Sequence, residues 1–142
     1  MSVTAIDHLV LLFSNLDEGI ATWTNITGAE PAHVVRDASG VDQAFFTLPD
    51  RSFIELLAPS GEDSPLSELL SKRGEGMHVV ALQVDNLEAA VATLQAEGRK
   101  LIGVGTDRVF IHPSSAGGVM VQLWPADKPH RWRDNLEKGE SS

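Results

Sequence analysis

The sequence predicts an α+β fold, two tandem βαβββ modules whose strands form a curved mixed sheet around a cleft. Two observations carry this. The chain repeats itself, and each copy runs in the same order of strand, helix and further strands. Residues 8–23 read HLVLLFSNLDEGIATW and residues 79–94 read VVALQVDNLEAAVATL. Asn15-Leu16 recurs as Asn86-Leu87, and Ala21-Thr22 recurs as Ala92-Thr93 at the same offset. A repeat on this scale marks two structural copies rather than two unrelated segments.

Each copy opens with about five apolar residues that suit a strand. An asparagine then stands where a helix N-cap belongs. The helix that follows has apolar positions at i, i+4 and i+7, namely Leu16/Ile20/Trp23 and Leu87/Val91/Leu94. Gly28 and Gly98 stop the two helices. Further strands follow in QAFFTLP and SFIELLAP in the first copy, and in DRVFIHP and VMVQLWP in the second, with room for one more strand at 32–36 and at 99–103. Between the copies, Ser64 is an N-cap, Pro65 a first helical residue and Gly74 a stop, so the joint is a short helix. One domain thus spans 1–125, with modules at about 4–59 and 76–125, a connector at 60–75 and a polar tail at 126–142 that could add a helical turn.

Composition narrows the function. With 142 residues, 42% apolar and 22% charged, the chain can bury one substantial core. A formal charge of −9 and the lack of a Lys/Arg stripe argue against nucleic acid. No apolar run suits a membrane span and no signal peptide opens the chain, so the expected location is cytoplasmic. The absence of cysteine excludes disulfides, a thiolate nucleophile and cysteine-bound zinc. A small molecule is the expected partner. Any phosphate on it would need local cations, for which Lys72/Arg73 and Arg99/Lys100 are candidates, although such a pair is more often just solvated.

Strand alternation nominates the residues that face the cleft. With His8 inward, Val10 and Leu12 follow, and the repeat brings Val79, Ala81 and Gln83. The later strands add Gln43/Phe45/Thr47, Phe53/Glu55/Leu57 and Met120/Gln122/Trp124. His8 and Glu55 are the ionisable members of these sets. An imidazole and a carboxylate on an apolar face suit metal ligation or acid–base work, because burial and pairing tune both groups. They equally suit a buried hydrogen-bonded pair that only joins two strands. His33, His112 and His130 read as surface or turn histidines, and His78 as structural.

The stretches IDHLVLLFSNLDEGI, FIELLAPSGEDSPLSELLSKRGEGMHVVALQVDNLEAAV and FIHPSSAGGVMVQLWP resemble methylmalonyl-CoA epimerase, within the vicinal-oxygen-chelate (glyoxalase/bleomycin resistance) superfamily. The resemblance covers about residues 4–125. It implies a homodimer, and it implies a divalent cation held by four cleft residues that stabilises an enolate while carboxylates move the α-proton. His8 and Glu55 match the first two ligand positions. At the third the family places a second histidine and this chain has Val79; at the fourth, usually glutamate, it has Gln122. Gln43 stands where the family often has a proton-shuttling glutamate, and the loop at 101–107 is short.

Valine cannot ligate and a neutral amide cannot take a proton. No cofactor is therefore expected beyond a weakly held divalent metal on His8, Glu55 and Gln122. Three readings follow. The first is an epimerase-, isomerase- or lyase-type enzyme on an acyl-CoA or other activated carbonyl compound, with Glu55 as base, His8 orienting it or polarising the oxygen, and Gln43, Phe45, Phe53, Gln83, Gln122 and Trp124 lining the substrate. The second is a non-catalytic protein that binds an aromatic, antibiotic-like guest. The third is an epimerase with a tolerant metal site.

Overall fold

A computed structural model describes residues 2–128 of the chain. The remainder of the tail, with His130, lies outside the described residues. The elements run β1 (Val3–Leu12), α1 (Leu16–Thr27), β2 (His33–Ala38), β3 (Val41–Thr47), β4 (Phe53–Pro59), α2 (Pro65–Arg73), β5 (Gly76–Val84), α3 (Leu87–Ala96), β6 (Leu101–Ile102), β7 (Val109–Ile111) and β8 (Met120–Pro125). This is an α+β fold with the βαβββ order twice over and α2 between the copies.

The chain divides into two compact units. One holds residues 10–77; the other holds residues 2–9 together with 78–128. β1 therefore gives its first residues to one unit and its last to the other.

In the 10–77 unit, β3 pairs antiparallel with both β2 and β4. The end of β1 joins β4, with the Phe13 amide donating to the Leu57 carbonyl at 2.8 Å. Alternate residues of these strands bury one face of the sheet against α1. Leu11, Ala44, Phe46, Ile54, Leu56 and Ala58 form that core with Leu16, while Ile20 and Trp23 pack on it from the helix, as the helical spacing predicts. α1 starts where Asn15 Oδ1 accepts the Glu18 amide at 3.0 Å, and it ends at Gly28 in the left-handed conformation.

In the other unit, β5 and β8 are parallel, whereas β7 is antiparallel to both β8 and β6, giving a mixed sheet. The Asp85 amide donates to the Ser2 carbonyl at 3.1 Å and ties the start of β1 to the end of β5. Val84, Val109 and Leu123 pack with Ala90 of α3, and Leu87, Val91 and Leu94 extend the contact. Asn86 caps α3 by accepting the Ala89 amide at 2.9 Å. Its far end is closed by Arg99 N–H to Leu94 C=O and Gly98 N–H to Gln95 C=O, both 3.0 Å. That pair of bonds needs a left-handed residue at 98, which glycine supplies with φ 77°.

Candidate functional site

In each unit the sheet face turned away from its helix carries the nominated residues. The first face belongs to β2–β4. Register sets Phe45 opposite Glu55 and Gln43 opposite Leu57. Glu55 is only 9% exposed, and its Oε2 accepts from the Gln43 amide nitrogen at 3.2 Å. Phe45 and Phe53 are buried, with ring centroids 6.0 Å apart and planes tilted by 59°. Thr47, nominated with them, is exposed.

His33 corrects an expectation. Register places it beside Phe45, its ring lies 6.5 Å from the Phe45 ring, and it is half-buried rather than a surface residue. The signal was in the alternation of β2, where His33 and Val35 share a phase. His112 does behave as a turn residue: its Nδ1 accepts from the Ser114 amide at 3.0 Å and caps a single 3₁₀ turn at Pro113–Ser115.

The second face belongs to the start of β1 with β5 and β8. Register aligns Val79 with Met120, Ala81 with Gln122 and Gln83 with Trp124. Gln122 and Trp124 are buried, and Val79 fills the third ligand position of the resemblance with an apolar side chain. His8 is 3% exposed and meets the Trp124 ring edge-on, with centroids 6.2 Å apart and planes at 79°.

Sequence reasoning missed one charged residue here. Asp7 is fully buried, with one oxygen 2.7 Å from His8 Nδ1 and the other accepting from the Gln83 amide nitrogen at 2.8 Å. Alternation had placed Gln83 toward a ligand, yet its amide nitrogen is engaged by Asp7.

Trp124 is also fastened. Its indole N–H donates to the Lys128 carbonyl at 3.0 Å, and the Lys128 ammonium lies 4.6 Å from its ring centroid. The same ammonium donates to Asp107 at 2.8 Å, and that hydrogen bond and charge hold the exposed Asp107 carboxyl below the usual carboxylate range.

At the four ligand positions of the resemblance, His8 and Glu55 carry groups able to ligate, Gln122 carries a neutral amide and Val79 carries no donor. Among the described residues no group of three or more His, Asp or Glu side chains is placed to hold a metal ion.

Residues 7–113 match the family described as the Glyoxalase/Bleomycin resistance protein/Dioxygenase superfamily. The mitochondrial methylmalonyl-CoA epimerase of Homo sapiens is 34% identical over 127 residues, covering 83% of this chain and 72% of its own. The ethylmalonyl-CoA/methylmalonyl-CoA epimerase of Cereibacter sphaeroides is 30% identical, covering 83% and 95%. A variant of Streptomyces coelicolor methylmalonyl-CoA epimerase, solved in complex with 2-nitronate-propionyl-CoA, superposes with a TM-score of 0.68 at 29% identity, covering 88% of this chain and 99% of that one.

Proposed function

Because this chain belongs to the glyoxalase/bleomycin resistance/dioxygenase superfamily, we propose that it is an epimerase-type enzyme that moves a proton at the carbon beside an acyl-CoA thioester. The observation that carries this reading is Glu55, a buried carboxylate on a face flanked by Phe45 and Phe53. Such a side chain has the chemistry of a general base. Gln43, through its 3.2 Å hydrogen bond, orients that carboxylate. His8 is the second ionisable residue of the proposal, and it serves as a proton carrier through a ring nitrogen. The similarity to epimerases acting on methylmalonyl-CoA supports a CoA thioester as the substrate class.

The step needs no metal in this proposal. Glu55 takes the α-proton and can return it or exchange it with water. Gln43 carries an amide and is bonded to Glu55, so it offers no second carboxylate; reprotonation of the opposite face would fall to water, unlike in a two-carboxylate epimerase. The first test is deuterium incorporation at the α-carbon of a panel of acyl-CoAs, methylmalonyl-CoA included, in D₂O. Incorporation supports the reading. Its absence on every ester, together with a Tm rise on adding flat aromatic compounds, would replace it with a binding protein.

Three further parts belong to the proposal. Co²⁺, Mn²⁺ and Zn²⁺ bind more weakly than a four-donor site would hold them; stoichiometric metal in the purified protein, lost in His8→Ala, contradicts this. The chain pairs as a homodimer, which would cover exposed apolar residues such as Val3, Ile6 and Met77. A light-scattering mass near the 15.3 kDa of one chain at micromolar concentration would disprove that. The working location is the cytosol. No described helix is long and apolar enough to cross a membrane.

A further inference from the structure

A buried carboxylate is costly unless its oxygens are matched by donors. Asp7 is matched twice, by His8 on one oxygen and by Gln83 on the other. β1 is also tied to β5 without these contacts, by the Asp85 amide donating to the Ser2 carbonyl. An apolar residue at position 7 would avoid the desolvation cost altogether. The retained charge therefore points to a task performed through its neighbours.

We propose that Asp7 is a positioning residue for His8: with Gln83 as its anchor, it fixes the imidazole as the Nδ1–H tautomer and presents Nε2 as the working nitrogen. As a carboxylate, Asp7 can only accept, so the 2.7 Å contact assigns the hydrogen to Nδ1 whenever the ring is neutral. The lone pair then lies on Nε2, across the ring from Asp7. Trp124, edge-on at 79°, sets the plane in which the ring is held. Gln83 stops the carboxylate from rotating, since turning it to follow His8 would break the 2.8 Å bond on the other oxygen. Gln83 thereby acts through Asp7 and His8 rather than on a ligand. A carboxylate behind a metal-ligating histidine has this orienting effect, and losing it typically costs 10- to 100-fold in function; a loss toward the lower end is expected here.

The inference rests on the proposed chemistry only for its activity readout, so its test has a second, independent one. ¹⁵N-edited NMR of the His8 ring above its titration range reports the tautomer directly. The wild type is expected to show Nδ1–H. Asp7→Asn can turn its amide N–H toward Nδ1, so it is expected to show Nε2–H or a mixture. Its α-proton exchange should fall about 10-fold or more in kcat with KM changed little. Gln83→Met keeps the carboxylate and loses its anchor, and covers the case in which Asp7→Asn does not fold; it should show a tautomer mixture and a smaller loss of kcat. Nε2–H in the wild type overturns the inference. So does an unchanged tautomer and wild-type kcat in a folded Asp7→Asn or, if that variant does not fold, in Gln83→Met. Absence of exchange in the wild type would defeat the proposed function, while the tautomer measurement would still decide the role of Asp7.

Discussion

Glu55 and Asp7 are both buried carboxylates, and the two proposals give them different work. Asp7 has both oxygens engaged by Gln83 and His8 within its own unit, a setting for holding a neighbour in place. Glu55 takes a longer bond from Gln43 and is flanked by Phe45 and Phe53, a setting for proton transfer. Gln43→Leu would remove the donor and leave the carboxylate, so we expect slower α-proton exchange with the fold intact, read as kcat against Tm; unchanged kcat would show that Gln43 does not orient Glu55. Glu55 was legible because alternation along FIELLAP puts it in phase with Phe53, and the cross-strand register then adds Phe45 and Gln43. Asp7 was not legible. A strict two-residue period sends it to the face opposite His8, and its anchor Gln83 lies 76 positions away in the chain. Its two partners are an adjacent side chain and a distant one, neither of which a strand period pairs with it.

At the scale of single elements, the local signals translated well. Asn15, Asn86 and Ser64 all cap helices through their side chains, and Pro65 opens α2. These are short-range effects that neighbouring residues decide. Asn86→Ala should cost about 1 kcal/mol of unfolding free energy in denaturant melts. A neutral result would mean that water replaces the cap without loss. Leu56→Ala empties a fully buried position between β4 and α1, and should cost about 2–5 kcal/mol. α1 also has a tie outside itself. Glu75 accepts from the Ser14 amide at 2.8 Å and its hydroxyl at 2.9 Å, and these bonds hold the Glu75 carboxyl below its ordinary range. Folding lowers this pKa, so the native state takes the proton less readily than the unfolded chain. The resulting stabilisation is full above about pH 4.3 and is lost as pH falls through the lower folded value. Glu75→Gln should therefore be less stable than wild type at pH 7, with the gap closing below pH 4; a gap that persists at low pH would assign its cause to packing. The strands at 99–111 were harder to read. β6 has only two residues, and its turn depends on Gly103, where a Cβ would overlap the Arg108 carbonyl oxygen at φ 79°.

For the whole molecule, the internal repeat was the strongest signal. It yields the doubled βαβββ order because each copy carries its own strand, cap, helix and stop. Composition pointed away from nucleic acid, and the chain is similar to methylmalonyl-CoA epimerases. What the repeat could not convey is the exchange of chemistry within it. Val79 and Gln122 pair with Met120 and Ala81 across β5 and β8, so the strand pairing is independent of whether a position carries valine, an amide or a ligand. The central claim is that this fold moves protons with Glu55. It is tested most directly by comparing α-proton exchange into D₂O in wild type and Glu55→Gln, on whichever acyl-CoA exchanges fastest. A loss of about 100-fold or more in kcat, with Tm nearly unchanged, is the predicted result. Exchange at the wild-type rate in a folded Glu55→Gln would contradict it.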